Sequence, residues 1–234
     1  MNLRAFLVPV VAVSALLLAA RFVPAEKAPA PPEKKRVELG KNVFFEKEGD
    51  QRRVIVSATV VLRQGQLEGL VTRKGTKEHE YILGVDADAR LIHAALIAAG
   101  AKAGKPVQFD PKYVPASGSK IKITLRYKKG KETVTVPAQE WVRNLKTDKP
   151  LASTWVFGGS QEVPDFDDNT KKIYLANQGD IVCICNMETA MLDLPVESPR
   201  ALDDRVYVAN TEQIPAIGTE VEIIMEVISD KKDK

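Results

Sequence analysis

Residues 120–127, KIKITLRY, set apolar Ile121, Ile123, Leu125 and Tyr127 against polar Lys122, Thr124 and Arg126. A spacing of two puts each set on one side of a strand and on no single side of a helix. The turn at 128–131, with Gly130, and the return over 133–136 complete a β-hairpin. The same period recurs near the C-terminus, where Val221, Ile223, Met225 and Val227 alternate with Glu220, Glu222 and Glu226, leaving part of that strand's surface in water. An earlier hairpin runs through 43–45, a turn at 48–50, and 54–62. Shorter strands are expected at 154–157, 172–176, 180–185 and 205–208. A single helix stands out over about 88–99, with Asp86 or Asp88 to cap it and Gly100 to end it. Together these predict a sheet-rich α+β domain over 37–229, mostly antiparallel hairpins with one packed helix.

Residues 1–25 read as a secretory signal. Arg4 supplies the positive start, 6–20 is apolar, and Val23, Pro24 and Ala25 lead to a cut before Glu26. The apolar run is shorter than the roughly 20 residues that span a bilayer. A stable transmembrane span after signal removal is therefore not expected, and the predicted location is extracytoplasmic, in the periplasm or secreted. Retention of the segment would instead make it an N-terminal membrane anchor. Residues 26–36 form a Pro- and charge-rich spacer and 230–234 a charged tail. Losing Arg4 and Arg21 takes the 34 Lys and Arg down by two, to 32, against 31 Asp and Glu. A near-neutral chain with interspersed charge argues against nucleic-acid binding, which wants a concentrated basic face.

The chain has two histidines, His79 in GTKEHEYIL and His93 in the helix. With 76–83 read as a strand, His79 shares a side with Tyr81 and Leu83, and Glu78 and Glu80 lie on the other. His93 is the one polar residue between 91 and 99. A helix apolar all round is buried, so His93 needs a polar partner, and the nearby KEHE segment supplies Glu78, His79 and Glu80. Three roles stay open for these residues: a structural hydrogen-bonded pair, a transition-metal site, and acid-base chemistry. The metal reading lacks the HExxH spacing and a third histidine.

Cys183 and Cys185 occupy alternate positions of an apolar strand, too far apart for an unstrained disulfide. Two buried thiols are expected, with soft-metal ligation by the pair as the alternative. Two cysteines cannot hold an iron–sulfur cluster, which ordinarily takes four ligands. Asp165, Asp167 and Asn169 begin like a calcium loop, but Thr170 and Ala176 stand where the glycine and glutamate belong. Ser160 follows Gly158 and Gly159 without the G-x-S-x-G order of a nucleophile elbow.

The segments GTKEHE, IHAAL with Gly100 behind it, GKPV, WVFGGS, YLANQGD and IPAIGTEV together resemble the YdjY-domain family of exported bacterial proteins, many from planctomycetes. The resemblance covers most of the chain after the spacer and implies no particular reaction or ligand. The expected function is an exported cell-envelope binding or structural domain, non-enzymatic, acting on an envelope protein or a small ligand. The alternative is a metal-binding or redox accessory protein using His79 and His93, with Cys183 and Cys185.

Overall fold

The computed structural model describes residues 34–199 and 204–229. The segment read as a secretory signal, most of the stretch read as a spacer, and the charged tail lie outside them. In chain order come β1 (Lys34–Gly40), β2 (Val43–Glu48), β3 (Gln51–Val60), β4 (Gly69–Arg73), β5 (Tyr81–Val85) and the helix α1 (Ala89–Ala98). Then follow β6 (Lys120–Lys129), β7 (Glu132–Pro137), β8 (Val142–Asn144), β9 (Lys149–Pro150), β10 (Trp155–Phe157), β11 (Glu162–Pro164) and β12 (Lys172–Tyr174). The last are β13 (Val182–Cys183), β14 (Leu192–Asp193), β15 (Tyr207–Ala209) and β16 (Glu220–Val227).

The two alternating segments read from the sequence are β6 and β16, and they pair antiparallel with each other in the middle of the main sheet. β16 pairs on its other side with β3. β3 outruns its hairpin partner: residues 51–56 pair with β2, while Ala58, Thr59 and Val60 pair with Val85, Gly84 and Leu83 of β5. That second pairing closes the sheet. The circuit runs β3, β16, β6, β10, β14, β13, β4, β5 and back to β3, an eight-stranded barrel. β1 and β2 extend from it as a ribbon beside β3, and β7 continues from the far half of β6.

The fold is therefore a β-barrel, which corrects the α+β class expected from the sequence. Closure rests on pieces too short or too buried to carry a pattern. β13 and β14 are two residues each, and β5 is buried at every position. The one helix contributes to the core instead of forming a layer over a sheet. Its Ala89, Ile92, Ala95 and Leu96 join the same cluster as Val54, Val56, Ile123, Leu125, Ile223 and Met225 from the strands. Its cap is as expected, with the Asp88 carboxylate accepting from the Arg90 N–H at 2.8 Å. In a barrel of this size side chains fill the interior, and here Val54, Val56, Val60, Leu125, Ile223, Met225 and Trp155 are all fully buried.

Apart from the main core, a second small core gathers Tyr81, Cys183, Cys185, Met187 and Ala190. Tyr81 faces this core from β5, and its ring lies across Gly69 of the parallel neighbour β4. A Cβ at residue 69 would sit 1.9 Å from the Tyr81 ring. Gly69→Ala must push the tyrosine out of its site, so it is expected to destabilise the fold by about 1–3 kcal/mol, the usual cost of overpacking. Denaturant unfolding of the variant measures this, and a change below about 0.5 kcal/mol would contradict the stacked arrangement.

Candidate functional site

The structure separates the two histidines. Residues 75–80 form a turn instead of the strand expected over 76–83. The Glu78 carboxylate accepts from the Gly75 N–H at 2.7 Å, and the Glu80 N–H bonds the Lys77 carbonyl. A turn-forming GTKE sequence wins over the strand pattern, and the His79 side chain is left 74% exposed. His93 is half-buried, because α1 exposes Ala94, Ile97 and Ala98 on the side away from the core. Its partner is Tyr174 of β12, at 2.8 Å from Nδ1, and no residue of the KEHE segment. The ring meets Phe157 and Tyr174 edge-on.

The tautomer follows from proton counting. Tyr174 has one hydroxyl proton and donates it to the Gly159 carbonyl at 2.7 Å. It must then accept from His93, so Nδ1 carries the hydrogen and Nε2 is a bare lone pair. Burial lowers the His93 pKa and keeps the ring neutral, and burial raises that of the Tyr174 phenol. Helix, β12 and the glycine turn after β10 are tied together by this triad. The polar partner expected from the KEHE segment is thus replaced by Tyr174.

The rest of the KEHE segment joins a compact charged cluster on the barrel wall. The Asp180 carboxylate, 3% exposed, accepts from Lys77 at 2.9 Å, from the Tyr81 hydroxyl at 2.7 Å and from Thr189. Arg205 forks across Glu80 at 2.9 Å and Glu68 at 2.5 Å, and Lys77 stands 3.7 Å from Glu68. Burial and the adjacent Glu80 raise the Glu68 pKa, whereas Arg205 outweighs burial and lowers that of Glu80. Against burial, the Asp180 carboxylate holds the Lys77 ammonium charged. Three carboxyls and two cations are thus bound to one another.

Both cysteines lie beneath this cluster as free, buried thiols, in agreement with the sequence. Burial raises the Cys183 thiol well above its ordinary range and pushes that of Cys185 up to about 12. Cys185 donates to the Leu67 carbonyl at 3.3 Å, and Cys183 contacts the Tyr81 hydroxyl at 3.5 Å. His79, His93 and the thiols do not converge, and among the described residues no group of three or more His, Cys, Asp or Glu side chains is placed to hold a metal ion. Ser160 donates to the Thr189 carbonyl at 2.6 Å and accepts from the Ala176 N–H, which makes it a turn brace. Asp165, Asp167 and Asn169 lie in the turn joining β11 to β12, where Asp165 accepts from the Asp167 N–H.

A wide groove crosses the outer face of the barrel. Its floor is β3, β16 and β6, with Ser57, Thr59, Glu222 and Arg126 upward, and it encloses about 980 Å³. The ribbon of β1 and β2 forms one wall. The register aligns Arg36 with Glu46, Arg53 and Glu226, four residues away from Glu222. On a flat sheet Arg36 and Glu222 would be on the order of 19 Å apart, yet they bond at 2.7 Å. β1 therefore coils over the face. Arg36 also stacks on Phe44 at 4.1 Å.

Glu222 is held by Arg36 and by Arg126, which outweigh its burial and lower its pKa. Lys34 pairs with Glu46, and Asp86 with Lys41. Other charges are uncommitted. Among the described residues Lys74 and Glu220 make no ion pair, and Lys128 bonds only the Thr133 hydroxyl, at 2.6 Å.

Sequence reasoning missed Glu68, Asp180, Arg205 and Tyr174, and the groove residues Lys74, Lys128 and Glu220. Tyr174 and Asp180 do lie within YLANQGD, one of the segments behind the family resemblance; the others carry no local signal, because only the sheet register assembles them. Comparison with known proteins agrees with that resemblance: a family model described as the YdjY domain matches residues 47–226. No curated protein and no solved structure matches the chain.

His93→Ala is expected to cost about 1–2 kcal/mol through the lost hydrogen bond and ring contacts. It should couple with Tyr174→Phe in a double-mutant cycle, while His79→Ala stays within about 0.5 kcal/mol. Equal costs for the two histidine variants would contradict this assignment. The pH dependence has a definite sign. Because the folded-state pKa of His93 is lowered, its contribution to stability is present above the unfolded value of 6.5 and is lost as pH falls through the folded one. Urea unfolding across that window should weaken toward acid more steeply in the wild type than in His93→Phe.

Proposed function

The chain belongs to the YdjY-domain family, and on that premise we propose that it is an exported, non-enzymatic binding domain of the cell envelope that takes a polar, acid-bearing chain in the groove over β3, β16 and β6. The observation that carries this reading is a groove of about 980 Å³ on the outside of a barrel whose interior is filled. Its lining sets polar groups beside apolar Ala58, Tyr127 and Val221. Ser57, Thr59, Thr133 and Thr219 offer hydroxyls, and Asn42 an amide. Lys74 and Lys128 bring ammonium groups that form no ion pair with a carboxylate of the described residues. A ligand that supplies carboxylates or other anionic groups would complete them. The fixed pairs around Glu222 hold the floor in place.

Export rests on the residues before the barrel: Arg4, the apolar stretch 6–20 and the small residues before Glu26. No helix among the described residues is long and apolar enough to cross a membrane.

The test uses the full exported chain and isolated acidic cell-wall polysaccharide as the probe. Co-sedimentation should occur at low salt and fade as ionic strength rises, because exposed charges are screened over about 8–10 Å. Lys74→Glu with Lys128→Glu should weaken it roughly tenfold or more, while melting stays unchanged, because both side chains are exposed. Absence of binding, or binding indifferent to the paired substitution, would contradict the groove as the site.

A further inference from the structure

β1 is the outermost strand of the main sheet, and its free edge pairs with no described strand. It is unusually bare. Residues 34–39 are all exposed, including Val37 at 57% and Leu39 at 42%. α1 packs against the end of the strand, where a Cβ on Gly40 would strike Leu91. An open backbone edge beside apolar side chains is a template for another strand. The question is which strand it fits.

The sequence of the edge, KKRVELG, answers this through its charges. Consider a second copy of β1 laid antiparallel about a two-fold axis perpendicular to the sheet. Three central registers keep each residue on its own face, those centred on residues 36, 37 and 38. Centring on 36 sets Arg36 against Arg36 of the other copy, and centring on 38 sets Glu38 against Glu38. Like charges directly opposite are destabilising. Centring on Val37 sets Arg36 against Glu38 twice, with Val37 against Val37 between them. Of the three, one register is self-complementary in charge and apolar at its centre.

We propose that β1 is a self-association edge, through which two copies of this chain pair antiparallel about Val37. The irregularity between Glu38 and Gly40 bends the strand and limits the regular ladder to its middle. Association is accordingly weak and reversible. Arg36 already stacks on Phe44 and bonds Glu222 within its own chain, so its guanidinium would be shared between Glu222 and Glu38 of the other copy. Pairing would join the two sheets edge to edge and carry two grooves on one continuous surface, which raises the apparent affinity for a long ligand by multivalency. The pairing itself does not depend on what the groove binds.

Sedimentation velocity of the full chain over a range of concentrations tests this without any ligand. The wild type should show a reversible monomer–dimer equilibrium. Glu38→Arg alone should weaken it about tenfold or more, since two attractions become two repulsions, and Arg36→Glu alone should do the same. Mixing the two variants should restore a dimer, because positions 36 and 38 are then both basic on one strand and both acidic on the strand it faces. Circular dichroism of each variant confirms that it is folded. A wild type that stays monomeric at the highest concentrations, or a Glu38→Arg protein that dimerises like the wild type, overturns the proposal.

Discussion

Everything in this structure follows from β3 having two partners on one edge. Its first half holds β2, and its last residues, Ala58 to Val60, hold β5. Were β3 shorter, the sheet would remain open. Because it is long, the far end of the sheet returns to its start and an eight-stranded circuit closes. The same division displaces the ribbon of β1 and β2 to the outside. It has nowhere to continue the barrel, so it coils over the outer face and is fastened there by Arg36 on Glu222. Closure, the filled interior, the groove and the open edge of β1 are consequences of that one strand.

Much of the local structure is legible because its periodicity is strong. The alternation of β6 and β16 emerges as two central strands, with Ile121, Ile123, Leu125, Val221, Ile223 and Met225 in the core. The helix and its Asp88 cap are equally plain. What the pattern does not carry is the assembly. β4 shows no alternation because Gly69, Leu70, Val71 and Thr72 are all buried, with Leu70 and Val71, on opposite faces, both in the main core. A strand covered on both faces reads as an apolar run, and two-residue strands do not read at all. The barrel is therefore hidden while its parts are visible.

The histidines show the same limit at the level of a site. An all-apolar run around His93 suggests burial on every side, but alanines are small, and α1 leaves Ala94, Ile97 and Ala98 in contact with water. The need for a polar partner is real. Nearness in sequence points to the KEHE segment, whereas the fold supplies Tyr174 from 81 residues away. KEHE has its own role: Lys77 and Glu80 reach a cluster with Asp180, Glu68 and Arg205 above the thiols. The cysteines are readable because the constraint on them is local, the i to i+2 spacing along a strand. Residues governed by nearest-neighbour geometry are legible, and those brought together by closure are not.

Closure through β3 is thus the claim on which the functional reading also rests, since an open sheet would have neither a filled interior nor an outer groove. Nuclear magnetic resonance tests it directly. The account predicts cross-strand proton contacts between Ala58, Thr59 and Val60 and Val85, Gly84 and Leu83, with the amides of this seam exchanging only through global unfolding. Missing contacts along the seam, or amides there that exchange by local opening while β6 and β16 stay protected, would contradict it.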